Sequence, residues 1–328
     1  MANDPTILIV AQDGRLTYEA VLFAASLRHA APDWTGQLVV AEPAKGPLWQ
    51  DDPSMTDRAA RQCLERLGAD IRSFSSRHFG ANYPHGNKIE ALSVLAPEEP
   101  FVFFDTDTLI TGPLNDVRFP FDRPSASMMR QNTWPDVQLY GPGYTDIWSA
   151  LYNRFGIPFE ATLDLSQPDE HWERYLYFNA GWFYFECPHR FQSEMLRIML
   201  GIRDEPLPEL VCQKLDPWLD QIALPLAITS LGGGRPGTEL DGLDGDMTLH
   251  WRAMPLFYAR ATPDQLDLLE EVCRPNWIKK VLKSHDPFLR LIYQGRGHRV
   301  RALFDQSKLP ARESAMRARI KRENLWLR

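Results

Sequence analysis

The chain has 328 residues, 44% of them hydrophobic and 24% charged, with a formal net charge of −7. That balance excludes a disordered chain, and 20 glycines without a three-residue period exclude collagen. No stretch approaches roughly 20 apolar residues without a charge, so no membrane span is expected. The start, MANDPTILIV, lacks the basic and long apolar parts of a secretory signal. Cys63, Cys187, Cys212 and Cys273 form no CxxC pair, which points to reduced thiols in a cytoplasmic protein.

In chain order, residues 6–11 (TILIVA) form an apolar, β-branched run that predicts a buried strand. Residues 16–29 place Tyr18, Val21, Leu22, Ala25 and His29 on one helical face. A strand at 37–41, a helix at 56–67 stopped by Gly68, and a strand at 69–74 follow. A short helix at 87–95 precedes the strand FVFF at 101–104. This alternation predicts an α/β protein whose strands are parallel and joined by right-handed crossovers. The second half is less regular. Helices are expected at 144–155, after Pro188, and at 220–231, where Pro225 restricts the turn. An aromatic strand is expected within 172–185, a flexible acidic loop at 232–245, and a last strand at 247–251. Thr262-Pro263-Asp264-Gln265 reads as a capping box opening a mostly helical remainder.

Charge is unevenly spread. Residues 1–273 hold 21 Lys/Arg against 39 Asp/Glu, a net of −18, whereas residues 274–328 hold 15 against 4, a net of +11. The terminal ARESAMRARIKRENLWLR reads as a basic helix ending in Leu325, Trp326 and Leu327. Such a segment suits either an anionic membrane face or the acidic body of its own chain.

The strongest chemical signal is FVFFDTDTLI. Asp105 and Asp107 stand at i and i+2 directly after a hydrophobic strand, and on a continuing strand both point to one side. Two hard oxygen ligands at a strand end suit Mg²⁺ or Mn²⁺ with open positions for substrate phosphate. They are equally readable as turn residues closing the strand. A second pair, Asp244 and Asp246, falls in a Gly-rich stretch with no strand before it and reads as solvated loop. A lone His250 in TLHW is either a ligand or a hydrogen-bonded core residue.

Several motifs in order resemble a known family. They are the first strand with LTYEAVLFAASL, then NKIEAL, FFDTDTLITGPLNDV, YFNAGWFYFE, WLDQIAL and TLHW. Together they resemble the nucleotide-sugar glycosyltransferases of GT-A fold, most of all the retaining family of glycogenin and the lipopolysaccharide galactosyltransferases. The likeness runs from about residue 6 to 251, in islands. It implies a Rossmann-related, mixed but mostly parallel sheet flanked by helices. A catalytic domain at 1–260 would be followed by a helical, basic extension at 261–328 packed on or beside it.

The resemblance implies a metal-dependent hexosyltransferase that takes a hexose from a nucleotide diphosphate sugar, UDP-linked by preference, and transfers it to a glycan, lipid or protein hydroxyl with retention. Asp105, Asp107 and His250 would hold Mn²⁺ or Mg²⁺. Asn179, Asp220 and Gln221 would surround the reacting sugar, although Asp220 also fits a helix N-cap. Ala11, Asp13, Tyr18, Lys88, Thr106 and Gly181 would bind the donor. The Tyr18 ring would stack on the base, and Gly181 would allow close backbone approach. Trp182 would stand near the sugar, unless, like other aromatics of this stretch, it belongs to the core. The family's late lysine is missing from HWRAMPLFYAR, and Arg252 or Arg260 would replace it. No nucleic-acid partner is expected. The competing readings are a catalytically silent nucleotide-sugar-binding homologue and a sugar nucleotidyltransferase, whose Gly-rich basic loop AQDGRLTYE matches poorly.

Overall fold

The computed structural model describes residues 4–130 and 134–327. The domain limits set at Met1 and Arg328 and the first three residues of the chain start lie outside them. Eight strands are present among the described residues: β1 (Thr6–Val10), β2 (Leu38–Ala44), β3 (Ala69–Ser75), β4 (Phe101–Phe104), β5 (Thr108–Ile110), β6 (Ser125–Ser127), β7 (Asn179–Phe185) and β8 (Thr248–His250). The helices that flank the sheet are α1 (Arg15–Ala30), α2 (Arg58–Arg66), α3 (Asn87–Glu90), α4 (Tyr144–Arg154), α5 (Pro188–Asp204) and α6 (Leu219–Ser230). Six more follow: α7 (Met254–Arg260), α8 (Pro263–Val272), α9 (Asn276–Leu282), α10 (Asp286–Phe288), α11 (Arg296–Arg301) and α12 (Glu313–Arg322).

The main sheet runs β3-β2-β1-β4-β7-β6. β1 pairs in parallel with β2 and β4, and β2 with β3, whereas β7 is antiparallel to both β4 and β6. The fold is therefore α/β with a mixed, mostly parallel sheet of the GT-A-like kind. Both faces are covered, which is why β1 is apolar throughout. Ile7 and Ile9 join one core with α1 and α2, and Leu8 and Val10 join the other with α5 and α6. The chain leaves β1 toward β2 and β3, then returns to place β4 on the opposite side. Ligands of such sheets bind in the crevice where the order reverses, beyond the carboxyl ends of the strands. Here that crevice lies beyond β1 and β4.

Local chemistry sets the element ends. Asp57 caps α2 by accepting from the backbone N–H of Ala59 and Ala60. Gly68 ends it at φ +75°, a conformation that costs glycine little. The Thr262–Gln265 capping box opens α8 as read from sequence. Pro225 lies inside α6; lacking N–H, it leaves the carbonyl of Gln221 without its usual helical donor.

The C-terminal helices share the core of the α1 side. Leu269, Leu282, Phe288, Val300, Ile320 and Leu325 are buried in it. Trp326 is packed against this core, with Arg317 and Lys321 over its ring at 5.3 and 5.6 Å. The basic terminal helix thus lies on the body of its own chain. No described helix is long and apolar enough to cross a membrane.

Two expectations change. Residues 232–245 are not simply a flexible loop, since a 3-10 turn spans Thr238–Asp244. Asp244 is not solvated loop: its carboxylate accepts from Ser127 Oγ at 2.7 Å, Met128 N at 3.2 Å and Trp182 Nε1 at 2.8 Å. Trp182 is accordingly 2% exposed and belongs to the core, not to a sugar pocket.

Candidate active site

β4 delivers its charges at the crevice. The Asp105 N–H donates to the Gly181 carbonyl at 2.8 Å, the last rung of the β4–β7 ladder. The chain then turns through Thr106 and Asp107 into β5. There the antiparallel β5–β8 pair sets Thr108 opposite His250, and the Trp251 N–H donates to the Asp107 carbonyl at 2.9 Å. Ile110 N donates to Ser26 Oγ at 3.0 Å, which ties this small sheet to α1.

The result is a three-residue cluster. Ligand atoms of Asp105, Asp107 and His250 lie within 4.8 Å of one another. His250 Nε2 is 3.1 Å from Asp107 Oδ1 and 3.8 Å from Asp105 Oδ2. Burial by itself would raise the Asp107 carboxyl, but His250, Arg15 and Lys88 outweigh it and hold the group well below the usual carboxylate range. Two carboxylate oxygens and one imidazole nitrogen form a donor set suited to Mn²⁺ or Mg²⁺. The space for the imidazole is made by a glycine. A Cβ on Gly181 would lie 2.5 Å from His250 Nδ1.

Beside the cluster stands Lys88, presented by α3. Its Nζ is 3.2 Å from Asp105 Oδ1, 3.2 Å from Asp220 Oδ2 and 3.4 Å from the Ala180 carbonyl. Burial would lower this ammonium, yet the two carboxylates raise it above the ordinary lysine value. Asp220, 1% exposed, sits in the first turn of α6. Its backbone N–H donates to Tyr83 Oη at 3.0 Å, and the same hydroxyl lies 2.7 Å from its Oδ1. Burial, then the Asp220 charge, pushes the Tyr83 hydroxyl far up, so it stays protonated.

Two cavities flank this lysine. One, about 370 Å³, opens from Gln12, Asp13 and Arg15 after β1 to Asp105, Thr106 and Asp107 after β4. The other, about 180 Å³, is bordered by Asn179, Asp220, Gln221, His250 and Arg252. Both touch His85, Lys88 and Asp105, so a two-part ligand would lie across the lysine.

Residues 7–232 match the model of the Rhodobacterales glycosyltransferase domain. The chain belongs to that family. It is a glycosyltransferase. No curated protein matches it by sequence. Among solved structures, the galactosyltransferase LgtC, in complex with donor and acceptor sugar analogues, is 15% identical over 71% of this chain and 73% of that one, with a TM-score of 0.41. The bifunctional glycosyltransferase WbbM is 15% identical over 86% and 52%, with a TM-score of 0.44. GlyE of Streptococcus pneumoniae TIGR4 is 11% identical over 87% and 64%, with a TM-score of 0.40.

The structure places the residues singled out from the transferase's sequence as follows. Asp13, Lys88, Thr106, Asp105 and Asp107 line the larger cavity. Asn179, Asp220, Gln221 and His250 line the smaller. Asn179 Nδ2 donates to the Met129 carbonyl at 2.9 Å, and Gln221 Oε1 accepts from Tyr177 Oη at 2.8 Å. Asp220 is not a helix N-cap; that position is Trp218, whose side chain caps nothing.

Three line neither of these two cavities. Ala11 is fully buried, with its N–H bonded to the Ala41 carbonyl. Tyr18 stacks on His285 at 5.1 Å and 15°, and its hydroxyl donates to Asp57 at 3.0 Å. One face of the ring expected to meet a base is thus taken by the C-terminal extension. Gly181 gives its room to His250. Arg252 lines the smaller cavity, whereas Arg260 pairs with Glu313 at 3.2 Å. Sequence reading missed Gln12, Arg15, His85 and Arg130. Gln12 and Arg15 carried one usable signal, since both follow β1 at its carboxyl end.

Proposed function

We propose that this glycosyltransferase moves a hexose from a nucleotide diphosphate sugar, UDP-linked by preference, to a hydroxyl of a glycan, lipid or protein. The reading rests on one observation: Asp105, Asp107 and His250 converge beside Lys88 at the topological switch point of the sheet. Those three residues would hold Mn²⁺ or Mg²⁺. When bound, the ion would neutralise charge growing on the departing diphosphate.

The protein's own groups supply the rest. The larger cavity would take the nucleotide, with Asp13 and Gln12 near its base. Lys88 stays cationic and adds positive potential where the leaving group would separate. Asn179 and Gln221 would orient sugar hydroxyls in the smaller cavity. Asp220 is held by Lys88 and Tyr83, so its first task is to fix the lysine. Retention is part of the proposal. With Asp220 engaged in this way, attack of the acceptor on the same face that the diphosphate leaves fits better than a carboxylate nucleophile. A cytoplasmic placement accords with four free cysteines, and a peripheral contact of the basic extension with anionic membrane is part of the same reading.

Calorimetry with UDP and Mn²⁺ tests it. Wild-type protein should bind UDP only with the ion, and Asp107→Asn should lose that ion-dependent binding. Absence of UDP binding in the presence of Mn²⁺ would remove the proposal. Release of UDP from a UDP-hexose separates an active enzyme from a silent binder.

A further inference from the structure

Two arginines border the 180 Å³ cavity without a carboxylate partner. Arg130 Nη1 donates to the Trp172 carbonyl at 3.0 Å and Nη2 to the Tyr175 carbonyl at 2.8 Å. Its guanidinium lies over the rings of Trp172 and Tyr177 at 4.9 and 5.1 Å. Arg252 Nη2 is 3.4 Å from the Met129 carbonyl, which also accepts from Asn179. Among the described residues neither guanidinium lies within 4.0 Å of an acidic group. Lys88, in the same cavity, is by contrast compensated by both Asp105 and Asp220.

Desolvating a cation with no anion in direct contact is unfavourable. Burial, with Arg235 nearby, pulls Arg130 down to about 10. Arg252 moreover holds φ +60°, a left-handed backbone conformation that is unfavourable for a non-glycine residue. It stands two residues after His250. A neutral sugar would not need these charges, because Asn179 and Gln221 already offer hydrogen bonds to hydroxyls. The diphosphate does not account for Arg130, which is absent from the wall of the larger cavity.

We propose that the sugar seated in this cavity carries an anionic group, of the kind found in a hexuronate, and that Arg130 and Arg252 grip it. The inference rests on the nucleotide-sugar reading above. The anionic sugar could be that of the donor or of the acceptor, and both arms of the test address this.

The test uses the full chain with Mn²⁺. In the donor arm, kcat/KM for UDP release is compared for UDP-glucuronate and UDP-glucose. In the acceptor arm, UDP-glucose is supplied with methyl glucuronide or methyl glucoside. The anionic sugar should be preferred roughly 10- to 100-fold in one arm, the range of a charge-assisted contact. Arg130→Met and Arg252→Met should each bring that ratio toward one, and Arg130→Lys should keep part of it. If Arg130→Met does not fold, Arg252→Met carries the test. A wild-type ratio near one in both arms overturns the inference. So does a fall in UDP affinity equal to the fall in turnover of both sugars, which would assign the arginines to the diphosphate. Failure to bind UDP with Mn²⁺ overturns the nucleotide-sugar reading and this inference together. UDP binding without anionic preference overturns the inference alone.

Discussion

Gly181 and His250 are in such close contact that a methyl group on the glycine would lie 2.5 Å from Nδ1 of the imidazole. Gly181 is also the residue whose carbonyl accepts from Asp105. One position on β7 therefore fixes two of the three candidate ligands. Gly181→Ala should push the imidazole away from Asp107 and reduce Mn²⁺ affinity at least 10-fold, at a stability cost of about 1–3 kcal/mol typical of overpacking. Calorimetric titration with Mn²⁺, beside His250→Ala, checks this. Unchanged ion affinity in Gly181→Ala would dissociate His250 from the ion.

Lys88 and Asp220 form a buried pair whose members lie 132 positions apart. Removing the lysine strands the buried Asp220 carboxylate, so Lys88→Met should cost roughly 3 kcal/mol, and Asp220→Asn less, because Asp105 still holds the lysine. The double variant should cost less than the sum, because neither charge is then left behind. Urea unfolding of the four proteins gives the coupling. Additivity would show that the pair is not an energetic unit.

Glu170 supports the start of α4. Its carboxylate accepts from the N–H groups of Tyr144 at 2.6 Å and Thr145 at 2.9 Å. Burial would raise it, yet the hydrogen bonds from Thr145 and Tyr144 prevail and lower it below 4.5. A depressed folded-state value means that its contribution is complete above about pH 4.5 and is lost as pH falls through the folded value. The group is largely exposed, so about 0.5–1 kcal/mol is expected after solvent screening. Glu170→Gln should lower stability by that amount at pH 7 and by little at pH 3, as read by denaturation at both.

Asp244 gathers three donors from separated segments. Asp244→Ala leaves the buried Trp182 N–H unpaired, and about 1–3 kcal/mol should be lost. Tryptophan emission should shift as well. A mutant as stable as the wild type would mean that water replaces the carboxylate.

The first half of the sheet was legible because parallel strands covered on both faces must be continuous apolar runs. Such runs mark β1, β2 and β4 plainly, and the glycine after α2 marks its end. β6 gave no such mark. Ser125-Ala126-Ser127 is strand only because β7 lies beside it. The DxD pair could be read because its spacing is local. The bond of Lys88 to Asp220 and those of Asp244 could not, since their partners come from distant segments and depend on the finished packing. Tyr18 shows the reverse limit: its aromatic face was legible, but not its neighbour His285 from the far side of the sequence. Trp182 stayed open between core and sugar pocket because an alternating strand pattern does not say which side is the core.

The β5–β8 pair also orders events during synthesis. The main sheet has all its strands once residue 185 has left the ribosome, but the third candidate ligand follows 65 positions later, on β8. A nascent chain can thus lay down its scaffold before it has a complete ion site. Capture of the ion would come as a late, separate event, after translation has passed His250.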